Sequence, residues 1–203
     1  MGILSASVSF TLYKVEVQVS DELFKNIQER LRLYGFKEIE ELSVERGAGW
    51  VCFDNWLDSS FFTSPFKGQY AVFSLRLDTR RIAPAVLKKH YEVALKELLQ
   101  KKQEQGQKFV AREEKKELKE NIRLKLLTKT LPVPAVFDVV WDMEKNFIYF
   151  CSVREKVQEL FVDLFVRTFE LQPILLTPVN FMLKELGFQE DDLKDYKPQV
   201  LVR

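Results

Sequence analysis

The chain has 203 residues, enough for one large domain or two small ones with real cores. Its 46% hydrophobic and 30% charged residues are an ordinary globular balance, and its formal net charge is only +1. No apolar run reaches the 18 residues of a membrane span, and a single histidine leaves His-dependent nucleophilic catalysis and zinc sites short of groups.

The N-terminus lacks a basic segment followed by an apolar one, so no signal peptide is expected. Cys52 and Cys151 are single and far apart, which fits two reduced, buried thiols in a cytoplasmic protein. Seventeen phenylalanines imply a bulky core or an exposed aromatic surface. No metal or cofactor is expected.

Residues 7–19 alternate apolar and polar as a half-buried strand does, with a change of phase at Leu12-Tyr13. Ser20 then caps a helix whose stripe is Phe24, Ile27, Leu31 and Tyr34, and Gly35 ends it. Short strands are expected at Lys37–Leu42 and Trp50–Phe53. Gly47-Ala48-Gly49 between them is not a phosphate loop, since GxxxxGK[ST] is absent. An aromatic loop, Trp56 to Gly68, leads into a strand at Gln69–Leu77.

The segment from Arg80 to Lys129 differs in charge from the rest. It holds about 15 basic and 7 acidic residues, leaving about 16 basic and 23 acidic elsewhere. A near-neutral chain is thus a basic module on an acidic body, and clustered positive charge suggests a polyanion partner. Two helices are expected in it, joined near Gly106. The first runs from Pro84 to about Gln103, with proline suited to its first turn. Leu87, Tyr91, Ala94, Leu95, Leu98 and Leu99 form its apolar stripe, with ion pairs expected between Glu92 and Lys96 and between Glu97 and Lys101. His90 on this helix reads as a surface or groove-edge residue.

The second helix is expected from about Ala111 to Lys129. Arg112, Lys116, Lys119 and Arg123 fall in a stripe about 60° wide. Ala111, Leu118, Ile122 and Leu126 lie beside it, and Glu113, Glu114, Glu117 and Glu120 take a third face. A salt-bridge-laced helix would place Lys or Arg four residues after each Glu, and here none follows. The like pairs Arg112–Lys116, Lys115–Lys119 and Lys119–Arg123 each cost about 0.2–0.5 kcal/mol in an isolated helix. An anionic ligand would offset that repulsion.

Pro132 and Pro134 follow the module. A strand at Ala135–Asp142, a turn at Met143–Asn146 and a strand at Phe147–Ser152 make a hairpin. Val153–Phe169 is an amphipathic helix, Pro173–Leu176 a short strand and Val179–Leu186 a helix stopped by Gly187. The tail from Gln189 is acidic. The expected fold class is α+β, with antiparallel sheets, packed helices and a projecting basic two-helix element. Expected divisions are 1–78 and 132–188 for the body, 79–131 for the basic pair and 189–203 for the tail.

Several stretches resemble RdgC, the bacterial recombination-associated family. Ser9-Phe10-Thr11-Leu12-Tyr13-Lys14 is similar to its opening strand, Gly49-Trp50-Val51 to its Gly-Trp-Val, and Ile82-Ala83-Pro84-Ala85-Val86 to its helix start. Leu126-Leu127, Trp141-Asp142 and Pro173-Ile174-Leu175-Leu176-Thr177-Pro178 follow in the family's order. The resemblance implies a nucleoid-associated homodimer, a ring that binds duplex DNA without sequence preference and restrains RecA-driven strand exchange. It places the DNA contacts on Lys101, Lys102, Lys108, Arg112, Lys115, Lys116, Lys119 and Arg123. Arg80 and Arg81, which open the basic module, join this expected set.

Two departures accompany the resemblance. The family continues well beyond the position of Pro178, so this sequence reads as a shortened member. Where the family often has Pro-x-Ala-Phe near the ring's closing contact, this chain has Thr128-Lys129-Thr130-Leu131-Pro132, and Leu131 stands in as the dimer contact. Two other functions compete. One is a metal-dependent exonuclease built on Asp138, Asp142 and Glu144; the other is an interaction module whose basic helices bind an acidic protein.

Overall fold

The computed structural model describes residues 2–16, 21–106, 109–189 and 191. Val17, Val19, Ser20, Lys108 and nearly all of the acidic tail therefore lie outside the described residues. Among the described residues the order is β1 (Thr11–Val15), α1 (Asp21–Leu33), β2 (Arg46–Cys52), β3 (Phe66–Lys67), β4 (Tyr70–Thr79), α2 (Pro84–Glu104), α3 (Arg112–Lys129), β5 (Val133–Asp142), β6 (Phe147–Phe150), α4 (Glu155–Phe169), β7 (Pro173–Leu175) and α5 (Pro178–Glu185). The strands form one sheet in the order β2-β4-β5-β6-β1-β7, with β3 paired to β4. The α+β class is as the sequence indicated.

The chain divides into two compact units. One comprises Met1–Gly35, Trp50–Leu75 and Val136–Arg203, the other Phe36–Gly49 and Arg76–Ala135. The first unit is organised by aromatic packing. β1 lies antiparallel between β6 and β7, with Tyr13 opposite both Ile148 and Leu175. β5 and β6 form the expected hairpin, pairing Val139 with Phe150 and Trp141 with Ile148. Its turn is held by Asp142, whose Oδ1 accepts from the backbone N–H groups of Glu144 and Lys145 at 3.1 and 3.0 Å.

Helix α4 places Phe161, Phe165 and Phe169 four residues apart, hence on one face. Phe161 stacks on Phe150 at 4.2 Å, and Trp141 meets Phe165 and Phe169 edge-on, each at 5.2 Å. Trp50 contacts Phe73 edge-on and donates through Nε1 to Thr168 Oγ1 at 2.7 Å, so its polar atom is satisfied inside the core. Much of the phenylalanine excess is thus core. Helix α1 buries Ile27 and Leu31, while Phe24 is partly exposed and stacks on Phe66.

In the second unit one sequence expectation fails. Residues 37–42 are not a strand but an irregular turn. The carbonyls of Ile39, Glu40 and Leu42 accept from the guanidinium of Arg80, which takes the place of a neighbouring strand. β2 correspondingly starts earlier than expected and runs through Gly47-Ala48-Gly49. A side chain at 47 would bring Cβ within 2.5 Å of Ile39 Cγ2, which accounts for glycine there.

Arg76 and Asp78 share a face of β4, because side chains alternate along a strand. Arg76 donates through Nε and Nη2 to Asp78 at 2.9 and 2.8 Å and through Nη1 to Glu38 at 2.8 Å. Its guanidinium also lies over the Phe36 ring at 4.1 Å. Helices α2 and α3 pack on each other. No residue of α2 is fully buried, and α3 fully buries only Leu127.

Candidate nucleic-acid interface

Helix α3 consists almost wholly of good helix formers and has neither glycine nor proline inside it. Glu113 and Glu114 stand in its first turn, where the helix dipole favours negative charge. Glu114 Oε2 accepts from the backbone N–H of Ala111 at 3.0 Å, satisfying a donor at the helix start. Its Oε1 takes a 2.5 Å ion pair from Lys102 of α2. The Lys102 hydrogen bond, followed by that from Ala111, holds the Glu114 carboxyl below the ordinary range.

Arg112, Lys115, Lys116 and Lys119 are all exposed on α3. Among the described residues none of the four forms an ion pair. Arg112, Lys116 and Lys119 belong to the stripe expected from spacing, and Lys115 stands beside it. Arg123, the last of the stripe, differs: Glu45 pairs with it closely, and Glu120 approaches it at 3.8 Å. Glu45 precedes Arg123 by 78 residues, so no local sequence signal could reveal the pair.

The remaining expected contacts scatter. Lys101 and Arg81 are exposed, and Lys102 is spent on Glu114. Arg80 is only 5% exposed and clamps the carbonyls of the 39–42 turn, so it supports the fold and offers no exposed charge. Lys108 falls outside the described residues. Among the described residues the expected pairs Glu92–Lys96 and Glu97–Lys101 are not formed; Lys88 instead approaches Glu92 at 3.9 Å. All these side chains are solvated, and such pairs gain too little to enforce one geometry. Leu131 is 78% exposed.

Of the carboxylates considered for catalysis, Asp138 and Asp142 are engaged in structure and Glu144 is exposed. Asp138 is buried, accepting from Ser74 Oγ and from the Ile3 N–H, each at 2.8 Å. Asp142 holds the β5–β6 turn. Among the described residues no group of three or more His, Cys, Asp or Glu side chains is close enough to hold a metal ion. Burial pushes the Cys52 thiol up to about 11, with the hydrogen bond to Asp58 adding to it. Burial, then the charge of Asp138, does the same to Cys151. Both thiols stay protonated at neutral pH and are poor nucleophiles.

A family model described as "Putative exonuclease, RdgC" matches residues 9–185. The chain belongs to the RdgC family. It is therefore a recombination-associated protein, and the stretches from Ser9 to Pro178 that carried the resemblance lie within the matched region. No curated protein matches the chain. Both basic helices of this RdgC-family member fall inside the match. Among the described residues no helix is long and apolar enough to cross a membrane.

Proposed function

We propose that this RdgC-family protein binds duplex DNA without sequence preference through the exposed face of α3, and so limits RecA-driven strand exchange by occupying DNA at the nucleoid. The observation that carries this reading is the group Arg112, Lys115, Lys116 and Lys119, exposed and without ion pairs among the described residues. Such a face repels itself until phosphates neutralise it. Titration of labelled duplex and single-stranded DNA at two salt concentrations tests the reading. Saturable binding that weakens steeply with salt supports it. No binding to either form favours the interaction module with an acidic protein partner.

The acting unit is proposed to be a homodimer, with Leu131 at a contact between copies. The incompletely buried apolar stripes of α2 and α3, and Leu131 itself, support this. Light scattering at micromolar concentration should give twice the 23.9 kDa chain mass. A monomer there would remove the ring and leave DNA binding standing.

The family description raises exonuclease activity, and we infer that this chain does not carry it on Asp138 and Asp142. Their oxygens already serve Ser74, Ile3 and the hairpin turn. Linear DNA should remain intact with magnesium or manganese. Release of mononucleotides that disappears in Asp138→Asn or Asp142→Asn would reverse this conclusion.

A further inference from the structure

A cleft of about 640 Å³ opens at the start of α2. Arg80, Arg81 and Arg123 line it, with Glu45 as the one carboxylate. Ile82, Pro84, Leu87 and Leu127 supply an apolar wall. The charge inside is unbalanced. Arg80 is buried, its terminal nitrogens bind only main-chain carbonyls, and its Nε has no hydrogen-bond partner among the described residues. A buried guanidinium without a carboxylate favours an anion close by. Arg81 is exposed at the rim. Arg123 is held by Glu45, an exposed pair that an incoming anion can exchange at small cost.

We propose that this cleft binds one nucleoside phosphate, presented as an unpaired nucleotide of a DNA strand. The phosphate meets Arg81 and Arg123, displacing Glu45, in the field of Arg80. The base and sugar lie against Pro84 and Leu127. Guanidinium forks suit phosphate oxygens, and the wall suits the flat body of a base. Inorganic phosphate would use only half of such a site. The inference rests on the DNA-binding reading for its choice of a strand as the source, but the cleft uses none of Arg112, Lys115, Lys116 and Lys119; its Arg123 stands one turn beyond Lys119 on α3.

Isothermal titration calorimetry on the full chain tests it with dAMP, adenosine, inorganic phosphate and a 5′-phosphorylated thymidine trinucleotide. dAMP and the trinucleotide should bind at least about tenfold more tightly than phosphate or adenosine. Arg81→Ala and Arg123→Ala should each weaken dAMP about tenfold or more. Glu45→Gln should tighten it about threefold, because the competing carboxylate is gone. Equal binding of dAMP and phosphate, or dAMP binding indifferent to both arginine variants, overturns the site. Failure of the trinucleotide alone overturns the strand as the source. An unaltered chain that binds duplex DNA but not dAMP sinks the cleft and leaves the α3 reading in place. The opposite result keeps the cleft and removes that reading.

Discussion

Replacing Lys116 and Lys119 together by alanine should make DNA binding much less sensitive to salt. If each subunit of a dimer sets Arg112, Lys115, Lys116 and Lys119 against phosphates, about 8 are neutralised, and log affinity falls against log salt with a slope of roughly −7. The double variant removes about four of these contacts, so the slope should shrink by about 3–4 units. Affinity at 0.1 M salt should drop at least about tenfold, equally for unrelated sequences, because phosphates carry no base identity. The helix should survive. Alanine is the best helix former, and the like-charge neighbours Arg112–Lys116, Lys115–Lys119 and Lys119–Arg123 are relieved. A folded double variant, checked by circular dichroism, that keeps both affinity and slope would reduce the face to solvated surface.

The largest effect on stability is expected from Arg76→Ala. Its side chain is 7% exposed and that of its partner Asp78 only 1%. Truncating Arg76 leaves the Asp78 carboxylate buried without its cation, which costs about 3–5 kcal/mol. It also frees Glu38 and uncovers the Phe36 ring. Urea unfolding followed by circular dichroism at 222 nm should show the loss. Arg76→Met combined with Asp78→Leu should recover most of it, because an apolar pair leaves no charge to desolvate. A loss below about 1 kcal/mol for Arg76→Ala would mean that water reaches Asp78 and that the pair is not the buried bridge described.

The basic helices were legible because their signals are local. Pro84 opens one helix, and the sorting of charges along α3 depends only on spacing. The β5–β6 hairpin was legible for the same reason. What escaped is non-local. Arg80 looked like surface charge because nothing near it in sequence announces the carbonyls of residues 39–42. Those same residues carry none of the Gly, Pro, Asn or Asp that would announce a turn. Glu45 removed part of the charge of Arg123 from a distance no helical wheel can include. Spacing thus gave the order of charges along the helix, but tertiary partners decide which of those cations are paired, and no spacing shows them.

The aromatic arrangement has an optical consequence. The chain has three tryptophans, Trp50, Trp56 and Trp141, all belonging to the compact unit that contains α4. The unit that carries α2 and α3 contributes none, while its long helices contribute strongly to the ellipticity. Tryptophan emission is therefore a reporter of one unit alone, and ellipticity reports on both. If the two signals melt together the chain behaves as a single cooperative system; if ellipticity falls first, the basic pair opens while the indole environment is still intact. The distribution of one residue type thus provides the colour contrast needed to watch the unit with the two basic helices without adding a label to it.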